Sequence, residues 1–91
     1  MDRIRGKTVV VTGAGSGFGR ILCERLLALE AQVVAGDVNA EWLAELASAM
    51  ASKALHTQVT DVSDLAQQKA LVAAALERFG AVDVLVNNAG T

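Results

Sequence analysis

Thr12-Gly13-Ala14-Gly15-Ser16-Gly17-Phe18-Gly19 is the stretch whose residue types and spacing point most directly to chemistry. Glycines at alternate positions strip the Cβ atoms from a turn, so a ligand can come close to the main chain. A helix opening behind that turn would aim its unpaired N–H groups and positive dipole end at an anion. The loop contains neither Lys nor Arg, so backbone donors must supply the attraction, with the Ser16 hydroxyl available to a ribose or phosphate. Arg20 is the nearest fixed charge, and it either reaches the anion or stays in solvent. Asp37 follows the last glycine at roughly the 20-residue distance where a dinucleotide site places the acid that holds the adenosine ribose hydroxyls. Together these residues describe a seat for a pyrophosphate and a ribose.

Such a seat needs a strand to deliver the loop and a helix to receive it. Val-rich or β-branched runs predict strands over Lys7–Thr12, Gln32–Gly36, Leu55–Thr60 and Val82–Val86. Three helical stretches alternate with them. The first places Phe18, Leu22, Leu26 and Leu29 on one face. The second, Ala40 to Ala51, starts from Asn39 as its cap, turns Leu43, Leu46, Ala47 and Met50 inward, and packs Trp42 in part. The third starts from Ser63 as its cap, carries Asp64 in its first turn, and ends at Phe79-Gly80, with Leu65, Val72, Leu76 and Phe79 as its inner stripe.

Crossover helices return the chain to the same end of a sheet, so the strands must run parallel. The expectation is an α/β, Rossmann-like (partial) doubly wound sheet of strand order 3-2-1-4 in three αβα layers, formed by residues 1–91 as a single domain. Its ligand crevice would lie at the carboxyl ends of strands one and four, where the winding reverses and where every motif named here falls.

Composition excludes several classes of function. A chain of 91 residues, 53% hydrophobic and 20% charged, is globular rather than disordered. A formal net charge of −2 with scattered Lys and Arg leaves no basic field for nucleic acid. No apolar stretch is long enough to span a bilayer, and the first residues lack the apolar region of a secretory signal, so a cytoplasmic protein without membrane contact is expected. Cys23 reads as a small core residue, and His56 has no neighbouring His or Cys with which to bind a metal.

Thr12-Gly13-x-x-x-Gly17-x-Gly19, Asp37, Asp61-Val62 and Asn87-Asn88-Ala89-Gly90, in that order, resemble the classical short-chain dehydrogenase/reductase family across the whole chain. Phe18 stands where the resemblance leads one to expect Ile or Leu, and also where a plain G-x-G-x-x-G pattern would place a glycine. The resemblance implies a cofactor site built from Gly13, Gly15, Ser16, Gly17, Phe18, Gly19, Asp37, Asp61, Val62, Asn88, Ala89 and Gly90. In it, Asp61 would accept from the adenine amino group, the Val62 backbone would meet the ring nitrogen, and the paired Asn residues would tie the central strands and line the ribose side. A strand-end turn is the competing reading of Asp61 and Ser63. The resemblance also implies hydride transfer between the cofactor and a small-molecule alcohol or carbonyl, in a full-length form. The Ser and Tyr-x-x-x-Lys group that would carry proton transfer is missing, for the chain has no tyrosine. Asp83 reads as structural or solvated rather than catalytic.

NAD is favoured over NADP on electrostatic grounds. A 2′-phosphate about 4 Å from the Asp37 carboxylate meets a repulsion of about 4 kcal/mol per unit charge at an effective dielectric of about 20. Val38, Asn39 and Ala40 bring no basic side chain to relieve it. Two functions of other classes fit the same residues: a nucleotide-binding module that catalyses nothing, and an interaction module that pairs through the strand-four edge. With the chain ending at Thr91, that edge is expected to be uncovered, which predicts homo-oligomers or self-association.

Overall fold

A computed structural model describes residues 3–88. Four strands, β1 (Thr8–Thr12), β2 (Gln32–Asp37), β3 (Leu55–Val59) and β4 (Val84–Asn87), alternate with three helices, α1 (Gly17–Ala28), α2 (Ala40–Met50) and α3 (Leu65–Phe79). All strand pairs are parallel and the sheet order is β3-β2-β1-β4, as the alternation of runs predicts. Register sets Val10 beside Val34 and Leu85, and Thr12 beside Gly36 and Asn87. The chain therefore leaves β1, β2 and β4 at one end of the sheet.

Alternate residues of β1 and β2 feed different layers, because side chains of a strand point to opposite faces. Val9, Val11, Val33 and Ala35 pack with Cys23, Leu26, Leu43 and Leu46 of α1 and α2. Val10 and Val34 pack with Leu71 and Ala75 of α3. Strands buried on both faces read as continuous apolar runs, which is the pattern Thr8-Val9-Val10-Val11 presents. Full burial of Leu46 or Leu71 contributes about 1.5–3 kcal/mol each.

Helix rotation departs from the periodicity at two places. In α1 the inward residues are Gly19, Cys23 and Leu26, while Phe18 is 66% exposed and Leu29 also faces solvent. Close approach at Gly19 sets this rotation: a Cβ there would fall onto the carbonyl oxygen of Gly13, so the face carrying residue 19 is the one pressed on the loop. In α3 Leu71 and Ala75 are buried with Phe79 partly so, whereas Leu65 and Leu76 are exposed. Leu71 sits on Gly36, where a Cβ would stand 2.8 Å from its Cδ2, and that contact rotates the Leu65–Leu76 stripe away from the sheet.

The caps follow local chemistry. Asn39 accepts from the Trp42 N–H at 3.0 Å and starts α2. For α3 the cap is Asp64 rather than Ser63: its carboxylate accepts from the Ala66 N–H at 2.9 Å, because Ser63 is already engaged with Asp61. Gly80 ends α3 in the left-handed region, φ +82°, as a terminal glycine should. β4 begins two residues later than the run of valines suggests. Asp83 instead clasps the start of β1: its carboxylate accepts from the Thr8 N–H at 2.8 Å and its own N–H donates to the Thr8 carbonyl at 2.9 Å.

Candidate functional site

Backbone conformation makes the loop after β1 a turn that glycine favours. Gly13 and Gly17 adopt φ of +64° and +58°, a region that side chains disfavour. Ala14 N–H donates to the Gly36 carbonyl at 3.1 Å, stitching the loop to the end of β2. Behind it, Ser16 caps α1 in an extended conformation, but its hydroxyl makes no capping bond, and no acidic residue occupies the first turn. The first N–H groups of a helix have no partner within the helix. Here no capping side chain takes them up, and the dipole end is unneutralised, which suits an incoming anion.

Asp37 closes β2 and is only 7% exposed. Its Oδ2 accepts from the Gly15 N–H and its Oδ1 from the Asn39 N–H, both at 2.9 Å. A carboxylate can accept about four hydrogen bonds, so each oxygen keeps capacity for a ribose hydroxyl. Asn88 joins the loop from the end of β4: its Nδ2 donates to the Gly13 carbonyl at 3.3 Å and its N–H to the Thr12 hydroxyl at 3.0 Å. That hydroxyl also reaches Asn87 Oδ1 at 3.1 Å. Two hydrogen-bonded groups, Gly15 with Asp37 and Gly13 with Asn88 and Thr12, thus meet on one loop at the carboxyl ends of three strands.

Asp61 and Val62 stand after β3, and their hydrogen bonds form a turn. Asp61 Oδ1 accepts from the Ser63 N–H at 2.9 Å and from its hydroxyl at 2.7 Å, which holds this exposed carboxyl below the usual carboxylate range. The Val62 carbonyl accepts from the Gln68 side chain, and Val62 lines a small hollow with Thr12, Leu71, Leu85 and Asn87. Phe18 lies on the outer face of α1, next to the loop but pointing to solvent. Ala89 and Gly90 lie outside the described residues.

Other residues fall away from the site. Arg20 is engaged with carboxylates, Glu24 at 3.2 Å and Glu45 at 4.0 Å. Cys23 is fully buried, and that burial, with Glu24 nearby, pushes its thiol up to about 12. His56 pairs with Gln58 across 3.2 Å, and among the described residues no group of His, Cys, Asp and Glu could hold a metal ion. No helix among them is long and apolar enough to cross a membrane. Sequence reasoning missed the Gly15–Asp37 bond and the part of Trp42, whose Cβ walls Gly15. Neither carries a periodic signal, since the first depends on how β2 lies beside β1 and the second on how α2 meets the loop.

Comparison with known proteins agrees with this geometry. The chain is 46% identical over 88 residues to 2-(R)-hydroxypropyl-CoM dehydrogenase of Xanthobacter autotrophicus, covering 92% of this chain and 35% of that protein. It is 42% identical over 92 residues to levodione reductase of Leifsonia aquatica, covering 97% and 34%. Among solved structures, a short-chain dehydrogenase/reductase from Burkholderia phymatum in complex with NAD superposes with a TM-score of 0.88 at 42% identity, over 93% of this chain and 31% of that one. A 3-ketoacyl-(acyl-carrier-protein) reductase from Brucella melitensis complexed with NADH does so with a TM-score of 0.85 at 36% identity, over 90% and 34%. The chain spans about a third of the length of these relatives. Residues 7–91 match the short chain dehydrogenase family model, and with the loop, the acid and the strand order in place, the chain belongs to the short-chain dehydrogenase/reductase family of oxidoreductases.

Proposed function

We propose that residues 1–91 form one NAD-binding domain of a dehydrogenase or reductase. Asp37 carries this reading: a nearly buried carboxylate, fixed by two backbone N–H groups beside an uncapped helix end, is suited to accept ribose hydroxyls. The loop and the first turn of α1 would receive the pyrophosphate, with Ser16 and the Gly17–Gly19 backbone as donors, and Gly19 keeping the helix pressed to the strand. Asn88, Ala89 and Gly90 would line the ribose side, Asp61 and the Val62 backbone the adenine, and Phe18 the outer wall. When bound, the nicotinamide supplies hydride exchange with an alcohol or carbonyl, in the full-length protein. This chain's own residues bind and orient; without a tyrosine they offer no phenolic proton donor, and the 91 residues alone are not expected to turn over.

NAD rather than NADP follows from the same carboxylate, whose fixed charge opposes a 2′-phosphate. A cytoplasmic setting suits a chain whose one cysteine is a buried thiol. Val84 and Leu85 are exposed on β4, which pairs only with β1 among the described strands, and this supports self-association through that edge.

Calorimetry with the two dinucleotides tests the cofactor reading. Asp37→Ala is expected to weaken NAD binding by about 10- to 100-fold, the worth of hydrogen bonds to a charged acceptor, and to narrow the gap to NADP. Equal binding by parent and variant would remove Asp37 from the site.

A further inference from the structure

Gly15 is not in the left-handed region, so its backbone conformation is open to any residue. Its requirement for glycine comes from space. A Cβ on residue 15 would stand 2.7 Å from the Cβ of Trp42, 3.1 Å from Asp37 Oδ2 and 3.2 Å from Asp37 Cγ. Real Cβ atoms essentially never approach another atom as closely as the first of these, and the neighbour is the stem of a helical residue rather than a flexible tip.

The Asp37 carboxylate is therefore boxed. Gly15 N–H holds one oxygen, Asn39 N–H holds the other, and the carboxylate and the Trp42 Cβ both border the space that a Cβ on residue 15 would fill. A carboxylate free to rotate could turn from a 2′-phosphate and relieve much of the repulsion. One held from both sides cannot, and selectivity rests on that refusal as much as on the bonds offered to a free hydroxyl.

We infer that Gly15 is a specificity-determining position: the room left by its missing Cβ, against Trp42, keeps the Asp37 carboxylate where it accepts a free 2′-hydroxyl and repels a 2′-phosphate. Gly15 acts through Asp37 and is a positioning residue. The inference rests on the proposed dinucleotide site.

The test compares NAD and NADP binding by calorimetry for the parent chain, Gly15→Ala, and the doubles with Trp42→Ala and Trp42→Gly. Gly15→Ala is expected to weaken NAD about tenfold and NADP much less, shrinking the preference severalfold. Because the clash is with a Cβ, Trp42→Gly should restore part of the preference and Trp42→Ala none, a pattern that general destabilisation would not produce. In the ligand-free parent, NMR couplings across hydrogen bonds should connect the Gly15 and Asn39 amides to the Asp37 carboxyl carbon. A Gly15 amide without that coupling would overturn the inference even if Gly15→Ala does not fold. An unchanged NAD-to-NADP ratio in folded Gly15→Ala would overturn it while leaving the cofactor reading intact; a parent without NAD preference would overturn that reading and this inference with it.

Discussion

Asp37 and Cys23 show how the same degree of burial leads to opposite chemistry. The Asp37 carboxyl group, in a nearly closed place, has both oxygens satisfied by backbone N–H groups. The Cys23 thiol, surrounded by Ala14, Leu26 and strand valines, has no group to stabilise a thiolate. Its folded-state pKa is raised, so the stability it contributes is complete below the thiol's ordinary value near 9.0 and is lost as pH rises from there toward about 12. Thermal unfolding measured from pH 7 to 11 should therefore show a decline above about pH 9 that a Cys23→Ala variant lacks. A thiol reagent at neutral pH should label Cys23 slowly in the folded chain and fast in urea.

At the scale of elements, α1 and α3 are each fixed by one close contact more than by an apolar stripe. α1 is set by Gly19 against Gly13, and α3 by Leu71 on Gly36. The end of α2 is different, for Ala51 takes φ +46°, a conformation that glycine adopts without strain. Ala51→Gly should raise stability by about 0.5–1 kcal/mol, the relieved strain exceeding the added chain entropy, as read by urea unfolding. The Thr8–Asp83 clasp and the Asn88–Gly13 bond join β4 to β1 at its two ends, so the loop's height above the sheet depends on β4.

For the whole molecule the two layers are unequal. The α1–α2 side buries the larger cluster, while on the other side α3 covers β1 and β2 and leaves Leu85 57% exposed, with Leu65 and Leu76 exposed on the helix itself. Light scattering is expected to give a mass that grows with concentration, and Leu85→Lys should lower it, since a charge on an edge strand opposes pairing. A monodisperse monomer at high concentration would speak against the edge as an interface.

The strands, their parallel course and the loop with Asp37 at its expected distance were legible in the chain because they rest on local chemistry, namely β-branched runs, side-chain-free turns and alternation with helices, and the sheet order followed from the doubly wound fold these imply. Asn39 as a cap was legible for the same reason. Tertiary structure alone decided which helix faces turn inward and that Gly15 meets Asp37 and Trp42, whereas Asp64 replaces Ser63 as the cap of α3 through the local Asp61–Ser63 bonds. Periodicity defines a stripe but not the rotation that close packing selects, and a hydrogen bond between residues 22 positions apart exists only once β2 lies beside β1.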